Sequence, residues 1–136
     1  MTQSVGDLPN LGGQTVLIAE PNPLLALDLA ETLGSWGARP SLHYDLAGLE
    51  QSSELDMVCA ALVDLPSNHE PLAGLITALS RRGVPTVLTT ACGADNIRAQ
   101  FPGLKVFDKP LDYTALAQWF YGAVPSAECA GKTCNG

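Results

Sequence analysis

The stretch VLIAEPNP, residues Val16–Pro23, joins a short apolar run to an acid and a sharp turn. The run predicts a buried strand over Thr15–Ala19, with Glu20 placing a carboxylate at the carboxyl end of that strand. Asn22 is a suitable N-cap for a helix over Pro23–Trp36, and proline is favoured at the first helical position. Leucines at helical spacing support this helix. The stretch therefore predicts a strand, a tight turn and a helix, the unit from which α/β folds are built.

The rest of the chain repeats this alternation of short apolar runs and helical patterns. The predicted strands are Thr15–Ala19, Arg39–His43, Met57–Val63, Val84–Thr89 and Leu104–Phe107, and the predicted helices are Pro23–Trp36, Leu46–Gln51, Pro71–Arg82, Ala94–Phe101 and Asp112–Gly122. Apolar strands that alternate with helices indicate a parallel sheet covered by helices on both faces. We therefore predict the α/β class, as a doubly wound (βα)5 flavodoxin-like sheet with strand order 2-1-3-4-5.

Length and composition indicate a single domain. The 136 residues suit one domain over residues 15–122, with a lead-in over residues 1–14 and a flexible tail over residues 123–136. The net charge of −7 argues against a broad basic face for nucleic acid. The longest apolar run, Met57–Val63, is too short to span a membrane, and the N-terminus lacks the features of a secretory signal. We therefore expect a cytoplasmic protein without a membrane partner, whose cysteines are free thiols.

Polar side chains follow four of the predicted strands. Glu20 ends the first strand, Asp64 the third, Thr89–Thr90 the fourth and Asp108–Lys109–Pro110 the fifth. Because the carboxyl ends of parallel strands meet at one edge of the sheet, these side chains are predicted to converge. A carboxylate can attack phosphorus, an ammonium and a divalent cation can neutralise the phosphoryl charge, and a hydroxyl can hydrogen-bond to the new group. The set therefore indicates phosphoryl-transfer chemistry.

Four sequence motifs resemble the receiver domains of two-component response regulators, the CheY-like family. They are VLIAEPNPLLALDLAETL, CAALVDLP, GVPTVLTTA and VFDKPLD, and together they cover about residues 15–122. The resemblance implies Asp64 as the phospho-acceptor, Lys109 as the phosphate-binding amine and Thr90 as the switch hydroxyl. It also implies a cis bond before Pro110 and a Mg²⁺ ion held in part by Glu20 and Asp64. Its implied partners are a histidine kinase or phosphotransfer protein as donor, and a downstream protein.

Three departures from the family pattern affect the expected site. The family usually ends its first strand with two adjacent acids, but here Pro21 follows Glu20, and proline offers neither a side-chain oxygen nor an N–H. The proline usually found four residues after Asp64 stands two after it, at Pro66. The aromatic residue often found in the fifth strand is replaced by Val106. We therefore expect a weakened Mg²⁺ site and no switch based on an aromatic rotamer.

Three functions are compared for this sequence. The first is a single-domain response regulator, phosphorylated on Asp64, that acts through protein–protein contacts. The second is a pseudo-receiver that binds partners without phosphorylation, because Pro21 leaves the Mg²⁺ site incomplete. The third, a flavodoxin-like enzyme or cofactor binder, needs a phosphate-cradling loop after the first strand, and Glu20–Pro23 contains no glycine. We predict a signalling domain and not an enzyme, with the first two functions left open.

Aromatic side chains of the last predicted helix offer a surface for protein partners. Tyr113, Trp119 and Tyr121 are expected to be partly exposed there. An exposed aromatic cluster can form an interface, although aromatic residues more often belong to the core and its rim. The surface could serve a downstream protein or a second copy of the chain in a homodimer.

Overall fold

The computed structural model of the chain describes residues 10–44, 48–65, 72–91 and 93–124. Its five strands are β1 (Thr15–Ala19), β2 (Arg39–His43), β3 (Ala60–Asp64), β4 (Thr86–Thr90) and β5 (Lys105–Asp108). All neighbouring strands are parallel, and their order in the sheet is β2-β1-β3-β4-β5. The predicted fold class and strand order are confirmed, and the carboxyl ends of all five strands lie at one edge.

Four α-helices connect or follow the strands in the described residues. They are α1 (Pro23–Ser35), α2 (Ala73–Arg81), α3 (Ala94–Gln100) and α4 (Tyr113–Ala123). Side-chain caps start two of them: Asn22 caps α1 and Asp112 caps α4, each accepting hydrogen bonds from two backbone N–H groups of the first turn. Pro23 occupies the start of α1, where its missing N–H has no helical partner to lose. The predicted cap at Asn22 is thus confirmed.

Two apolar clusters hold the helices on opposite faces of the sheet. The first contains α1 and α4 residues together with alternate strand residues, among them Leu29, Leu33, Leu116, Phe120, Val16, Ile18 and Leu62. The second contains α2 and α3 residues with the intervening strand residues, among them Leu75, Ile76, Leu79, Ile97, Leu17, Ala61 and Val63. Successive strand residues point to opposite faces, so each central strand contributes to both clusters. This explains why the strands are apolar throughout.

The segment between β2 and β3 differs from the predicted helix and strand. Where a helix was predicted over Leu46–Gln51, the structure has a 3₁₀ helix at Leu49–Gln51, and residues 45–47 lie outside the described residues. A second 3₁₀ helix follows at Ser53–Met57, capped by the Ser52 hydroxyl. The predicted start of the third strand at Met57 is wrong, because this residue ends the 3₁₀ helix with a 72% exposed side chain.

The end of the lead-in packs against the turn after α1. The backbone N–H of Leu11, whose side chain is buried, donates to the Trp36 carbonyl at 2.8 Å, and Gly13 N–H donates to the Gly37 carbonyl at 2.6 Å. Gly37 has a φ of +89°, and a Cβ there would lie 3.2 Å from the backbone nitrogen of Gly12, so this close approach favours glycine. Residues 1–9 and 125–136, including most of the predicted flexible tail, lie outside the described residues. No helix in the described part of the chain is long and apolar enough to cross a membrane.

Candidate functional site

The turn after β1 fixes the orientation of the Glu20 carboxylate. The side chain of Glu20 is only 1% exposed, and its Oε2 accepts a hydrogen bond from the Asn22 backbone N–H at 3.0 Å. The Asn22 side chain is engaged separately, because its Oδ1 accepts from the N–H groups of Leu24 at 3.0 Å and Leu25 at 3.4 Å. One residue therefore starts the helix with its side chain and binds the buried carboxylate with its backbone.

Lys109 brings the ends of β1, β3 and β5 together. Its Nζ lies 2.8 Å from Glu20 Oε1 and 2.7 Å from Asp64 Oδ1, and its side chain is 20% exposed. The Lys109 backbone N–H donates to the Thr90 carbonyl at 2.8 Å, which continues the β4–β5 ladder by one residue. The Lys109–Pro110 peptide bond is cis, as the resemblance implied. The ammonium thus contacts two carboxylates that are 44 positions apart in the sequence, at residues 20 and 64.

The protonation of Lys109 follows from these two contacts. Burial on its own lowers the pKa of Lys109, but the hydrogen bonds and charges of Asp64 and Glu20 outweigh it and raise the pKa above its usual value of 10.5. The ammonium therefore carries its charge throughout the neutral range. Removing it would leave two buried carboxylates facing each other with no counter-charge from this residue.

Both threonines at the end of β4 are buried, but they have different neighbours. Thr89 is the strand partner of Asp64, and its hydroxyl donates to Asp64 Oδ1 at 3.2 Å. The strand partner of Thr90, the residue predicted as the switch hydroxyl, is Asp108 of β5. The sequence placed both threonines at the end of the fourth strand but gave Thr89 no separate role. The register of β3 against β4 is the signal that identifies it, because residues paired across parallel strands point to the same face.

The described residues do not fit a Mg²⁺ site of the kind implied by the resemblance. Mg²⁺ prefers octahedral oxygen ligation with one or two carboxylates, and Pro21 stands where a second acid would follow Glu20. Both Glu20 oxygens and Asp64 Oδ1 are already hydrogen-bonded. Among the described residues, no three His, Cys, Asp or Glu side chains are grouped closely enough to hold a metal. Pro66 and the backbone carbonyl expected after Asp64 lie outside the described residues.

The arrangement has the chemical groups needed to receive a phosphoryl group. The contacts of Asp64 with Lys109 and Thr89 involve Oδ1, and Oδ2 takes no part in them. The Asp64 side chain is 9% exposed, at the edge of the sheet where the strands end. A carboxylate can act as a nucleophile through one oxygen while hydrogen bonds orient the other. The adjacent ammonium can stabilise negative charge that develops on the incoming group.

A second polar cluster joins the edge strand β2 to the second 3₁₀ helix. Ser41 Oγ donates to Glu54 Oε2 at 2.6 Å, and His43 Nε2 lies 2.9 Å from the same oxygen. The hydrogen bond from Ser41 and the contact with His43 lower the pKa of Glu54 below its usual value. All these contacts converge on one carboxylate oxygen, so the cluster joins the second 3₁₀ helix to β2. Nothing in its geometry resembles a catalytic relay, because His43 meets both neighbours through the same nitrogen.

The aromatic residues of α4 are placed differently from one another. Tyr121 is exposed, Trp119 is half-buried, and Tyr113 is half-buried with its hydroxyl donating to the Asp28 carboxylate of α1. Burial, then the hydrogen bond and charge of Asp28, raise the pKa of Tyr113 well above its usual range. Trp119 packs edge-on against Phe120, with ring centroids 4.9 Å apart. The expected partial exposure holds for these side chains.

Solved structures with the same fold are receiver domains and proteins that contain them. A sensor protein from Polaromonas sp. JS666 is 25% identical, with a TM-score of 0.64 over 80% of this chain and 94% of that one. The receiver domain of sensor histidine kinase PA1611 from Pseudomonas aeruginosa PAO1, which has magnesium coordinated in its active-site cleft, is 25% identical, with a TM-score of 0.61 over 80% and 94%. The BeF3-activated conformation of SdrG from Pseudomonas melonis Fr1 is 26% identical, with a TM-score of 0.59 over 77% and 94%.

The similarity extends across most of the length of these structures. No protein-family model matches the sequence, and no curated protein matches it. The structural matches nevertheless cover more than nine-tenths of each of the three domains described above. The five-stranded order, the strand-end carboxylates and the lysine before a cis proline occur together in one edge of the sheet. On these grounds the chain has the fold of CheY-like receiver domains and resembles them in the residues at its strand ends.

Proposed function

We propose that this receiver domain accepts a phosphoryl group on Asp64 from a histidine kinase or phosphotransfer protein and signals by binding a downstream protein. The observation that supports this most directly is the 2.7 Å contact between Lys109 Nζ and Asp64 Oδ1 at the end of β3. It joins a nucleophile to the cation that phosphoryl transfer requires. The domain then acts as a signalling module and not as an enzyme for a small substrate.

The proposed step is a single displacement at phosphorus. Asp64 Oδ2 attacks the phosphorus of a phosphorylated imidazole, the P–N bond breaks as the new O–P bond forms, and the released imidazole takes a proton from solvent. The product is an acyl phosphate on Asp64. Lys109 is close enough to pair with a phosphoryl oxygen, and it remains protonated because its pKa is raised.

A hydroxyl of β4 is the proposed reporter of the phosphorylated state. Thr90 has this role in the resemblance, whereas Thr89 is the residue whose hydroxyl contacts Asp64. Phosphorylation would remove one acceptor oxygen from the carboxylate and offer three phosphoryl oxygens in its place. Either hydroxyl could then change partner. Comparing Thr89→Val with Thr90→Val for partner binding after phosphorylation separates the two roles.

The test of phosphorylation measures the intact mass of the purified chain after incubation with acetyl phosphate. We expect a gain of one phosphoryl group that is lost in Asp64→Asn. Asp95→Asn is the matched control, because it removes an exposed carboxylate on α3 and should label normally. No gain, under conditions in which an established receiver is labelled, would refute phosphorylation of this chain.

A specific observation favours the second candidate, a pseudo-receiver. Pro21 replaces the second acid, and both oxygens of Glu20 are engaged by Lys109 and Asn22. If phosphorylation requires a divalent ion, this site would stay unphosphorylated and the domain would bind its partners constitutively. In that case the unmodified chain and Asp64→Asn would bind the same partner with the same affinity, with or without phosphodonor.

A further inference from the structure

We propose that Lys109 is the resident cation of this site and takes the place of a divalent metal ion. The inference deepens the proposed function, because it names the charge that a phosphoryl group would meet on Asp64. It can also be tested without phosphorylation, through metal binding alone. It is based on three groups of observations: the engaged oxygens, the charge balance and the residue at position 21.

The first observation is that three of the four carboxylate oxygens are already engaged. Glu20 Oε1 lies 2.8 Å from Lys109 Nζ, and Glu20 Oε2 accepts the Asn22 N–H at 3.0 Å. Asp64 Oδ1 receives both Lys109 Nζ at 2.7 Å and the Thr89 hydroxyl at 3.2 Å. A metal ion bound between these two carboxylates would have to displace the ammonium from both of them.

The second observation concerns charge. Two carboxylates of the site meet one ammonium, and the remaining donors are a backbone N–H and a hydroxyl. A dication beside this ammonium would be repelled by it at a distance of a few ångströms, where screening by water is limited. A site with a third carboxylate can hold both positive charges, but the described residues of this site supply two.

The third observation is the sequence Glu20–Pro21–Asn22. Pro21 has no side-chain oxygen, so it supplies no ligand and no negative charge. Asn22 also contributes no side-chain oxygen, because its Oδ1 accepts from Leu24 and Leu25 at the start of α1. The turn that removes the metal ligand is therefore the same turn that directs Glu20 towards Lys109.

This arrangement predicts that phosphoryl transfer to Asp64 does not depend on a divalent ion. The ammonium of Lys109 would be the positive charge in contact with Asp64 before the transfer and with the phosphoryl group after it. Glu20 would then hold the ammonium in position through its second contact, as a positioning residue. A neutral side chain at position 109 should reverse the preference and admit a metal ion.

The first experiment titrates Mn²⁺ into the full chain and follows the broadening of backbone amide signals near residues 20 and 64. Four proteins are compared: the unmodified chain, Lys109→Met, Pro21→Asp and Lys105→Met. Lys105 is the matched control, because it is an exposed lysine on the same strand that leads to Lys109. We expect no saturable binding below about 1 mM for the unmodified chain and for Lys105→Met. Affinity should rise at least about tenfold in Lys109→Met and in Pro21→Asp.

Saturable binding by the unmodified chain below that concentration would overturn the inference. The inference would also be overturned if Mn²⁺ affinity rose in neither Lys109→Met nor Pro21→Asp, or if it rose equally in Lys105→Met. Pro21→Asp keeps Lys109 in place, so the comparison remains decisive if Lys109→Met fails to fold.

The second experiment repeats labelling with acetyl phosphate in the presence of Mg²⁺ or of a chelator. We expect the same labelling of Asp64 in both conditions, and labelling that requires Mg²⁺ contradicts the inference. If the chain is labelled in neither condition, the proposed phosphorylation is refuted, and the Mn²⁺ titration decides the role of Lys109 by itself.

Discussion

Replacing Lys109 with methionine should destabilise the folded domain, because it leaves two buried carboxylates without their shared counter-charge. At separations of 2.8 Å and 2.7 Å, each contact is worth about 6 kcal/mol of gross Coulomb attraction at an effective dielectric constant near 20. Desolvation of the three groups offsets most of this attraction. Removing one partner of a buried ion pair typically costs about 3–5 kcal/mol. Since the Lys109 side chain is 20% exposed, we expect a loss of about 3 kcal/mol, at the low end of that range.

The assay is urea unfolding of the variant and the unmodified chain at neutral pH, followed by far-ultraviolet circular dichroism. In thermal unfolding of the same proteins, a loss of about 3 kcal/mol corresponds to a fall of roughly 10 °C in the melting temperature of a domain of this size. Lys105→Met is the control and should change stability by less than about 1 kcal/mol, because its exposed side chain loses one cation–π contact, 5.3 Å from the Phe107 ring centroid. The double variant Glu20→Gln/Lys109→Met should be more stable than Lys109→Met alone, because it also removes a buried charge.

The pH dependence provides a second check on the same contact. The pKa of Lys109 is raised in the folded chain, so the stability it contributes is fully present below the unfolded value of 10.5 and is lost as the pH rises through the folded value. The difference in stability between the unmodified chain and Lys109→Met should therefore be constant at neutral pH and shrink only in strong alkali. The reasoning is refuted if Lys109→Met is as stable as Lys105→Met at neutral pH.

Three further variants test contacts away from the site. Tyr113→Phe should cost about 1 kcal/mol in urea unfolding, because it removes the hydrogen bond to the partly solvated Asp28 carboxylate. Glu54→Gln should cost less than about 1 kcal/mol, since the Glu54 side chain is 41% exposed. Because the pKa of Glu54 is lowered in the folded chain, this cost should be seen above pH 4.5 and vanish on acidification through the folded value, as measured by unfolding at several pH values. Phe120→Ala should cost roughly 4 kcal/mol by the same assay, because its buried ring packs against Trp119 and a truncation leaves a cavity.

The parts of the fold that sequence predicted well are those with a local physical signature. β1 has the predicted bounds because four apolar residues are followed by an acid and a proline. The start of α1 was predictable because Asn22 and Pro23 each satisfy a need of the first helical turn. The strand order follows from the alternation of elements, since a parallel sheet covered on both faces has few workable topologies.

The errors arose where the structure depends on contacts between distant segments. The third strand was predicted to begin at Met57 because residues 57–59 are apolar. The 3₁₀ helix capped by Ser52 extends to Met57, and the strand begins only at Ala60. Hydrophobicity alone does not distinguish a strand from an apolar residue on an exposed turn. The prediction of Thr90 as the switch hydroxyl is not among these errors and stays a prediction. That Thr89 is the strand partner of Asp64 depends on how β3 and β4 are aligned, which local sequence does not specify.

The bend in VLIAEPNP follows from the different uses of the two residues after Glu20. Pro21 has no N–H, so the first backbone donor after Glu20 is the N–H of Asn22, which donates to Glu20 Oε2. The other oxygen is then directed to Lys109, which arrives from β5 next to a cis proline. In a site with an acid at position 21, negative charge would accumulate at this turn and require a second cation. Here Glu20 supplies the one carboxylate of the turn. The Lys109 ammonium, which Glu20 shares with Asp64, compensates part of the negative charge of these two carboxylates. The substitution of proline for an acid and the double contact of Lys109 are therefore two parts of the same electrostatic arrangement.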